Sequence, residues 1–201
     1  MFVISCEHVI VFVPSYSVTS PFDVVPRFCS PVHFSPSSPV FISTYILFSF
    51  FLSFFKYWGY KKPRAKHEFS LWAYVFMTNH VHLLICPRKE SYSISSILQG
   101  IKQPVSFKAI GYLKREKPDG LAQLTTGQKT QRYCFWQKGG GYDRNISSID
   151  TLLSTLRYIH NNPVRKGLVA TPDDWYYSSS ACWSSIRDEP LAIDKDDWPV
   201  T

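Results

Sequence analysis

The second two-thirds of the chain alternates long apolar runs with segments of helical periodicity. The run over 71–86, "LWAYVFMTNHVHLLIC", is rich in β-branched, aromatic and aliphatic residues and predicts a strand. The segment "SISSILQGIKQPVSFKAIGYL", at 93–113, repeats apolar residues near a period of 3.6 and predicts a helix. Pro104 is expected to kink or divide that helix, because proline removes a backbone hydrogen bond.

A second helix is predicted in "SSIDTLLSTLRYIHNNP", over about 148–161, with one apolar face. Asn145 or Ser147 can cap its start by accepting a hydrogen bond from a backbone N–H. Pro163 is expected to end it, since the residue before a proline is pushed away from helical angles. The last turn of this helix therefore carries a cluster of polar side chains.

The first sixty residues show neither pattern. Residues 28–55 contain no Lys, Arg, Asp or Glu, and the run over 40–55, "VFISTYILFSFFLSFF", is uncharged. That run is shorter than the ~20 residues that usually span a bilayer, although neutral flanks leave a membrane segment open. No signal-peptide pattern is present. Because charge and pattern begin abruptly near Lys61, we interpret the segment as the product of a frameshift or a misplaced start, which the other reading frames would test.

Charge divides the chain into three parts. The 201 residues have a formal net charge of +7 and a pI of about 9.1. The central residues 61–187 hold 19 basic and 8 acidic residues, a net of +11, which favours a polyanionic partner, nucleic acid first. We predict an atypical segment over 1–62, a domain over 63–187 and an acidic tail over 188–201.

Cysteine usage points to a reducing compartment. The five cysteines are an odd number, widely spaced and without a C-x-x-C pair. This spacing argues against a zinc knuckle and against a disulfide scaffold. We therefore expect a cytoplasmic protein with reduced thiols.

The segment "NHVHLL" contains the strongest candidate chemistry. His80 and His82 are two apart, so on a strand both imidazoles project from one face. They are either a metal-binding pair or two ordinary polar residues. Tyr158 and Asn162 share a face of the predicted helix if it holds through its last turn. Beside two histidines they suggest a metal held by imidazoles and an amide oxygen, with a tyrosine nucleophile. Taken alone, Tyr158 is more readily explained as a half-buried core aromatic.

At this point the chain resembles a family. Residues from about Arg64 to Trp183 resemble the REP-associated tyrosine transposases, a branch of the single-tyrosine HUH transposases, named for His, hydrophobic residue, His. Five segments carry the resemblance, in the order of the family: "LWAYVFMTNHVHLLI", "ILQGIKQPVS", "FWQKGGGYDRNI", "YIHNNPVRKGLV" and "DDWYYSSS". The resemblance implies an α+β fold, a small antiparallel sheet flanked by helices, with a ferredoxin-like or RRM-like core.

The resemblance also implies roles for individual residues. His80 and His82 match the HUH pair, Tyr158 matches the nucleophile, and Asn162 matches the third metal ligand, with Asn161 as the alternative. Members cut and join single-stranded DNA beside hairpins through a 5′-phosphotyrosine link, using Mg²⁺ or Mn²⁺. The basic residues expected to contact phosphates are Arg157, Arg165, Lys166, Lys102 and Lys108.

Other functions stay open. A decayed or domesticated transposase would bind hairpins without cutting them, and a HUH replication nickase would share the histidine pair but need a larger chain. A membrane-anchored protein rests only on residues 40–55, and we do not expect one. We expect a monomer or homodimer whose partner is hairpin-bearing single-stranded DNA, with no small-molecule substrate.

One departure from the family concerns the first strand. Members begin with a strand of the central sheet, followed by a helix that leads into text like "PRAKHEFS". Here "HVIVFV", at 8–13, is the only candidate, and its distance from that helix along the chain fits poorly. A missing strand would expose backbone donors and acceptors at the sheet.

Overall fold

A four-stranded sheet forms the centre of the fold, in which the second and third strands along the chain are followed by the first and then the fourth. The computed structural model describes residues 5–12, 61–77, 80–116, 121–122, 124–130, 132–136, 144–188 and 190–200, with only the backbone of 5–12, 61–62 and 144. The strands are β1 (Ser5–Phe12), β2 (Phe69–Phe76), β3 (His80–Pro87) and β4 (Arg144–Ile146). The helices are α1 (Lys61–His67), α2 (Ile94–Glu116), α3 (Ile149–Arg165) and α4 (Ser180–Trp183), with a 3₁₀ turn at Pro172–Asp174. The predicted α+β class is confirmed.

The run predicted as one strand over 71–86 is a hairpin of two strands. β2 and β3 pair in antiparallel fashion, with Val75 opposite His82, and the N–H of Met77 donates to the carbonyl of His80 at 2.8 Å. The single-strand prediction was wrong because apolar content was read across "MTN", where asparagine favours a turn. Every residue of β2 and β3 is buried, so both faces of this hairpin are covered.

The first strand joins the sheet from the beginning of the chain. β1 pairs in parallel with β3, where His8 lies opposite His82, and in parallel with β4, where Ile10 lies opposite Arg144. The candidate "HVIVFV" therefore overlaps a real strand of the sheet. The antiparallel pairing predicted for the sheet holds for β2 and β3 only, because β1 runs parallel to both of its neighbours, whereas a ferredoxin-like sheet is antiparallel throughout.

Helix α2 runs unbroken through Pro104 for 23 residues. The prediction that Pro104 divides it was wrong, because one lost backbone bond is outweighed by apolar contacts on both sides of the proline. These buried residues are Ile97, Leu98, Ile101, Val105, Ala109 and Leu113. Gly100 lets α1 approach closely, since a Cβ there would lie 2.8 Å from Nε2 of His67.

Helix α3 begins and ends at residues other than those predicted. The Ser148 side chain caps it by accepting from the N–H of Thr151 at 3.3 Å. Pro163 lies buried inside the last turn instead of ending the helix. The end comes at Gly167, whose φ of +66° is the left-handed conformation that glycine adopts most easily. The extended helix keeps Asn162 within regular helical geometry.

The acidic C-terminal residues pack on the outer edge of β2. Asp194 pairs with Arg64, and its carboxylate also accepts from the N–H of Leu71 at 2.9 Å. Asp197 accepts from Ser70 and, at 2.8 Å, from Nε1 of Trp72. Burial alone would raise the pKa of Asp197, but these hydrogen bonds and nearby Arg88 lower it overall. The segment therefore covers a sheet edge, while the boundary at residue 188 stays a prediction.

Within the described ranges, no helix is long and apolar enough to cross a bilayer. Residues 40–55, which alone suggested such a segment, lie outside those ranges.

Candidate active site

The histidine pair lies at the start of β3 with both rings side by side. The ring centroids of His80 and His82 are 4.8 Å apart, and their planes are inclined by 82°. His80 is 7% exposed and His82 is 1% exposed. The predicted common face is therefore observed, and a solvated position for the two imidazoles is excluded.

Helix α3 brings Tyr158 onto this pair. The Tyr158 and His82 ring centroids lie 5.7 Å apart in an edge-to-face arrangement. Tyr158 is still 39% exposed, so a ligand can approach it from solvent. Residues 76 positions apart in the sequence thus meet at one place, with a buried imidazole below and an accessible phenol above.

Asn162 lies one helical turn after Tyr158 and is buried. Its Nδ2 donates to the carbonyl of Tyr158 at 2.9 Å, which leaves the amide Oδ1 as an acceptor for another group. Asn161 makes the matching bond to the carbonyl of Arg157 at 2.9 Å, but it lies on a different side of the helix. The helix thus favours Asn162 over Asn161, and its role as a ligand stays a prediction.

The predicted phosphate contacts fall on two helices. On α3, the Arg165 guanidinium lies 5.0 Å from the centroid of the Tyr158 ring, while Arg157 and Lys166 are exposed near the same helix end. Lys102 and Lys108 lie on α2, where both are half-buried, and the carbonyl of Lys102 accepts from Nε1 of Trp136 at 2.8 Å. Of these five basic residues, Arg165 is the one whose charged group faces the Tyr158 ring in the part of the chain that the structure describes.

The predicted metal donors at this site are two imidazole nitrogens and one amide oxygen. Within the part of the chain that the structure describes, no cluster of three or more His, Cys, Asp or Glu side chains could hold an ion. Asparagine is not among those residue types, so the set of His80, His82 and Asn162 is a separate possibility. Two adjacent imidazoles and one amide oxygen are chemically suited to a divalent ion.

His160 is the polar residue whose position sequence reasoning missed. It belongs to the same last turn, yet it is only 8% exposed, and its Nε2 lies 2.9 Å from the Ser179 hydroxyl. Burial lowers the pKa of His160 to about 4, partly offset by the nearby Asp173 carboxylate. The signal available in the sequence was the co-occurrence of "YIHNNP" and "DDWYYSSS", which this bond joins.

We predict that His160 makes the fold sensitive to acid. Its pKa is about 4 in the folded chain and 6.5 ordinarily, so the unfolded chain binds the extra proton between these values. Stability is complete above pH 6.5 and is lost as the pH falls towards 4, by about 3 kcal/mol.

Urea unfolding of the metal-free protein at pH 7 and pH 4 would measure this loss. Carboxylates titrate in the same window, so His160→Gln, which carries no titratable group there, is the matched control. The wild-type chain should lose more stability than the variant over this interval. Equal losses in both proteins would contradict the assignment of a buried, neutral His160.

Two proteins of known description are similar to this chain. A curated protein of Haemophilus influenzae named "Putative REP-associated tyrosine transposase" is 28% identical over 147 residues, which cover 70% of this chain and 72% of that protein. The chain is therefore similar to a protein that is named as a REP-associated tyrosine transposase. A solved structure, described as a REP-associated tyrosine transposase bound to a REP hairpin, superposes with a TM-score of 0.47 at 18% identity. The superposition covers 82% of this chain and 83% of the chain in that solved structure. No family model matches the chain.

Three of the segments on which the resemblance rests lie close together in the fold. "NHVHLL" begins β3, "YIHNNP" forms the last turns of α3, and "DDWYYSSS" lies between α3 and α4. The last of these pairs with the outer edge of β2, since the N–H of Phe76 donates to the carbonyl of Tyr177 at 2.9 Å. The third segment, "FWQKGGGYDRNI", falls mostly outside the described residues.

Proposed function

We propose that the chain is a transposase-like DNA strand transferase that cuts and joins single-stranded DNA beside hairpins through a 5′-phosphotyrosine. The observation that carries this proposal is the contact of the accessible Tyr158 ring with His82, at 5.7 Å between centroids. A curated relative supports the same class, because it is named as a putative REP-associated tyrosine transposase.

The proposed chemistry begins at the Tyr158 hydroxyl. The O–H bond of the phenol breaks during attack, because the oxygen bonds to phosphorus without its proton. The Tyr158 oxygen forms a bond to phosphorus, the bond between phosphorus and the 3′ oxygen breaks, and that oxygen takes up a proton to become a 3′-OH. The Arg165 guanidinium, 5.0 Å from the ring centroid, offsets negative charge on the phenol oxygen and the phosphate.

His80, His82 and Asn162 would hold a divalent metal ion, Mg²⁺ or Mn²⁺. Such an ion polarises a phosphoryl oxygen and offsets negative charge in the transition state. Imidazole nitrogens are less suited to Mg²⁺, which prefers oxygen ligands, so the donor set favours Mn²⁺. The burial of both rings keeps the imidazoles oriented before DNA arrives.

The proposal is tested by incubating the full chain with labelled single strands that carry a hairpin, in Mg²⁺ or in Mn²⁺. A labelled protein band that survives denaturation is the expected result. If the chain binds the hairpin tightly but forms no adduct in either metal, it is a hairpin-binding module instead. If it neither binds nor cuts, the proposed partner is wrong.

We predict that hairpin binding weakens steeply with salt. Each phosphate neutralised by Lys or Arg releases counterions, with a log–log slope of about −0.7 per contact on single strands. Five contacts, from the predicted basic residues on α2 and α3, would lower the affinity about 100-fold between 50 and 200 mM salt. Fluorescence anisotropy of a labelled strand across that range would give the slope.

Single substitutions sharpen this measurement. Lys166→Gln, at the exposed end of α3, should reduce the magnitude of the slope by about 0.7. Lys129→Gln removes the same charge from an exposed loop. It serves as the control and should leave the slope unchanged. A flat salt response of the wild-type chain would exclude nucleic acid as a charge-driven partner.

A further inference from the structure

A buried hydrogen-bonded group ties α3 to the sheet on the side away from Tyr158. Nε2 of His160 lies 2.9 Å from Oγ of Ser179, and the same Oγ accepts from the N–H of Tyr74 in β2 at 2.9 Å. Ser179 also donates its own backbone N–H to the carbonyl of Tyr74 at 3.0 Å. We call His160, Ser179 and the backbone of Tyr74 the His160–Ser179 clasp.

The clasp is fully enclosed. Ser179 is 0% exposed and His160 is 8% exposed, and the Nε2 of His160 is occupied by its contact with the Ser179 hydroxyl. A serine beside a histidine suggests nucleophilic catalysis, but a hydroxyl sealed from solvent has no access to an external ester or phosphate. The clasp therefore acts within the fold.

The position of His160 on helix α3 allows the clasp to restrict rotation of that helix. Residues two apart on an α-helix are separated by about 200° around its axis, so His160 and Tyr158 lie on nearly opposite sides. The apolar contacts of α3, such as those of Leu152 and Ile159, are non-directional and permit small rotations. A hydrogen bond requires alignment of donor and acceptor, so the clasp restricts rotation of α3 about its axis.

We propose that His160 is a positioning residue, which holds Tyr158 against His82 by fixing the rotation of α3. The expected effect on the rate of adduct formation rests on the proposed function. The expected effect on the distance between Tyr158 and His82 does not. A misplacement of about 1 Å can cost about 100-fold in rate, so a loosened helix should slow adduct formation much more than it weakens hairpin binding. Ser179 carries the same role from the other end of the bond.

Variants of the clasp separate positioning from simple stability. His160→Leu fills the space without a hydrogen bond, and Ser179→Ala is a milder second variant that removes the shared oxygen. His160→Gln places an amide where Nε2 lies and should restore the bond. Leu152→Val removes one buried methylene from the same helix without touching the clasp, and it is the matched control for lost stability.

Two readouts apply to each variant. The first is the nuclear Overhauser effect between the Tyr158 and His82 rings, which depends on their separation and needs no DNA. The second is the rate of adduct formation beside the hairpin dissociation constant. We expect His160→Leu and Ser179→Ala to weaken the Overhauser effect and to slow adduct formation by about 10- to 100-fold, with hairpin affinity changed less than about twofold.

His160→Gln should restore the wild-type values of both readouts. Leu152→Val should leave both readouts unchanged, although it loses about as much thermal stability as the clasp variants. An unchanged Overhauser effect in His160→Leu, or equal losses in Leu152→Val, would overturn the inference. If wild-type protein forms no adduct while the Overhauser effect still responds to the clasp variants, the proposed function fails and the positioning of Tyr158 stands.

Discussion

Tyr158→Phe should abolish the covalent protein–DNA adduct and strand cleavage while leaving the fold and hairpin binding intact. The change removes one oxygen, and without it no bond to phosphorus can form. Loss of a nucleophile typically costs more than about 1,000-fold in rate. Because Tyr158 is 39% exposed and keeps its ring, stability should change by less than about 0.5 kcal/mol. Denaturing gels of labelled strands would show the adduct, and thermal melts would report the fold.

Tyr176→Phe is the control for this experiment. Tyr176 is 45% exposed and packs edge-to-face against Tyr177, with its ring also facing the Arg187 guanidinium, so it resembles Tyr158 in accessibility and surroundings. Its variant should form the adduct at the wild-type rate. An adduct that persists in Tyr158→Phe would assign the nucleophile to another residue.

Asn162→Ala should instead raise the metal concentration that adduct formation requires, with the adduct still formed at high metal concentration.

His80→Ala and His82→Ala should each reduce cleavage by at least about 100-fold while hairpin affinity largely survives. The reason is a division of labour: the imidazoles act on one scissile phosphate, whereas affinity comes from many phosphate contacts along the backbone. Cleavage of labelled strands and anisotropy with intact hairpins would measure the two effects separately. Paramagnetic resonance of Mn²⁺ would show whether bound metal is lost in parallel.

Both substitutions leave space in the interior, so folding must be followed beside activity. His82 is 1% exposed, and removing a buried ring costs roughly 2 to 4 kcal/mol. His82→Gln fills part of that space and provides a better-folded second variant. His67→Ala, on α1 and away from the site, is the control for loss of an imidazole. Equal losses of binding and cleavage in a folded His80 variant would count against a metal role.

Short-range periodicity predicted the site better than it predicted the fold around it. The two-residue spacing of His80 and His82 gave their common face, which the neighbouring rings confirm. The four-residue spacing of Tyr158 and Asn162 predicted a shared helix face, and both residues lie within the regular helix α3. The meeting of Tyr158 with His82 did not follow from spacing, because packing between separate elements decides it. It was expected only through the resemblance to a known family.

Proline was the main source of error in the predicted elements. Pro104 and Pro163 both lie inside helices, although each removes a backbone bond and was expected to divide or end its helix. Tertiary packing outweighs that local cost, since Pro163 is buried and Gly167 provides a better end point. The role of His160 was hidden for a related reason: its partner Ser179 is 19 residues away, at a distance that no helical or strand period connects.

The place of β1 between β3 and β4 determines when the sheet can assemble during synthesis of the chain. Its two partners, β3 and β4, begin 68 and 132 residues after Phe12, so both of its edges wait for distant sequence. At bacterial or eukaryotic rates of synthesis, the interval before β4 is made is on the order of 10 s. Pairing across such separations also slows folding of the released chain. During that time the backbone of "SCEHVIVF" has no partner within the sheet, so recovery of native protein should depend on chaperones and on the speed of translation.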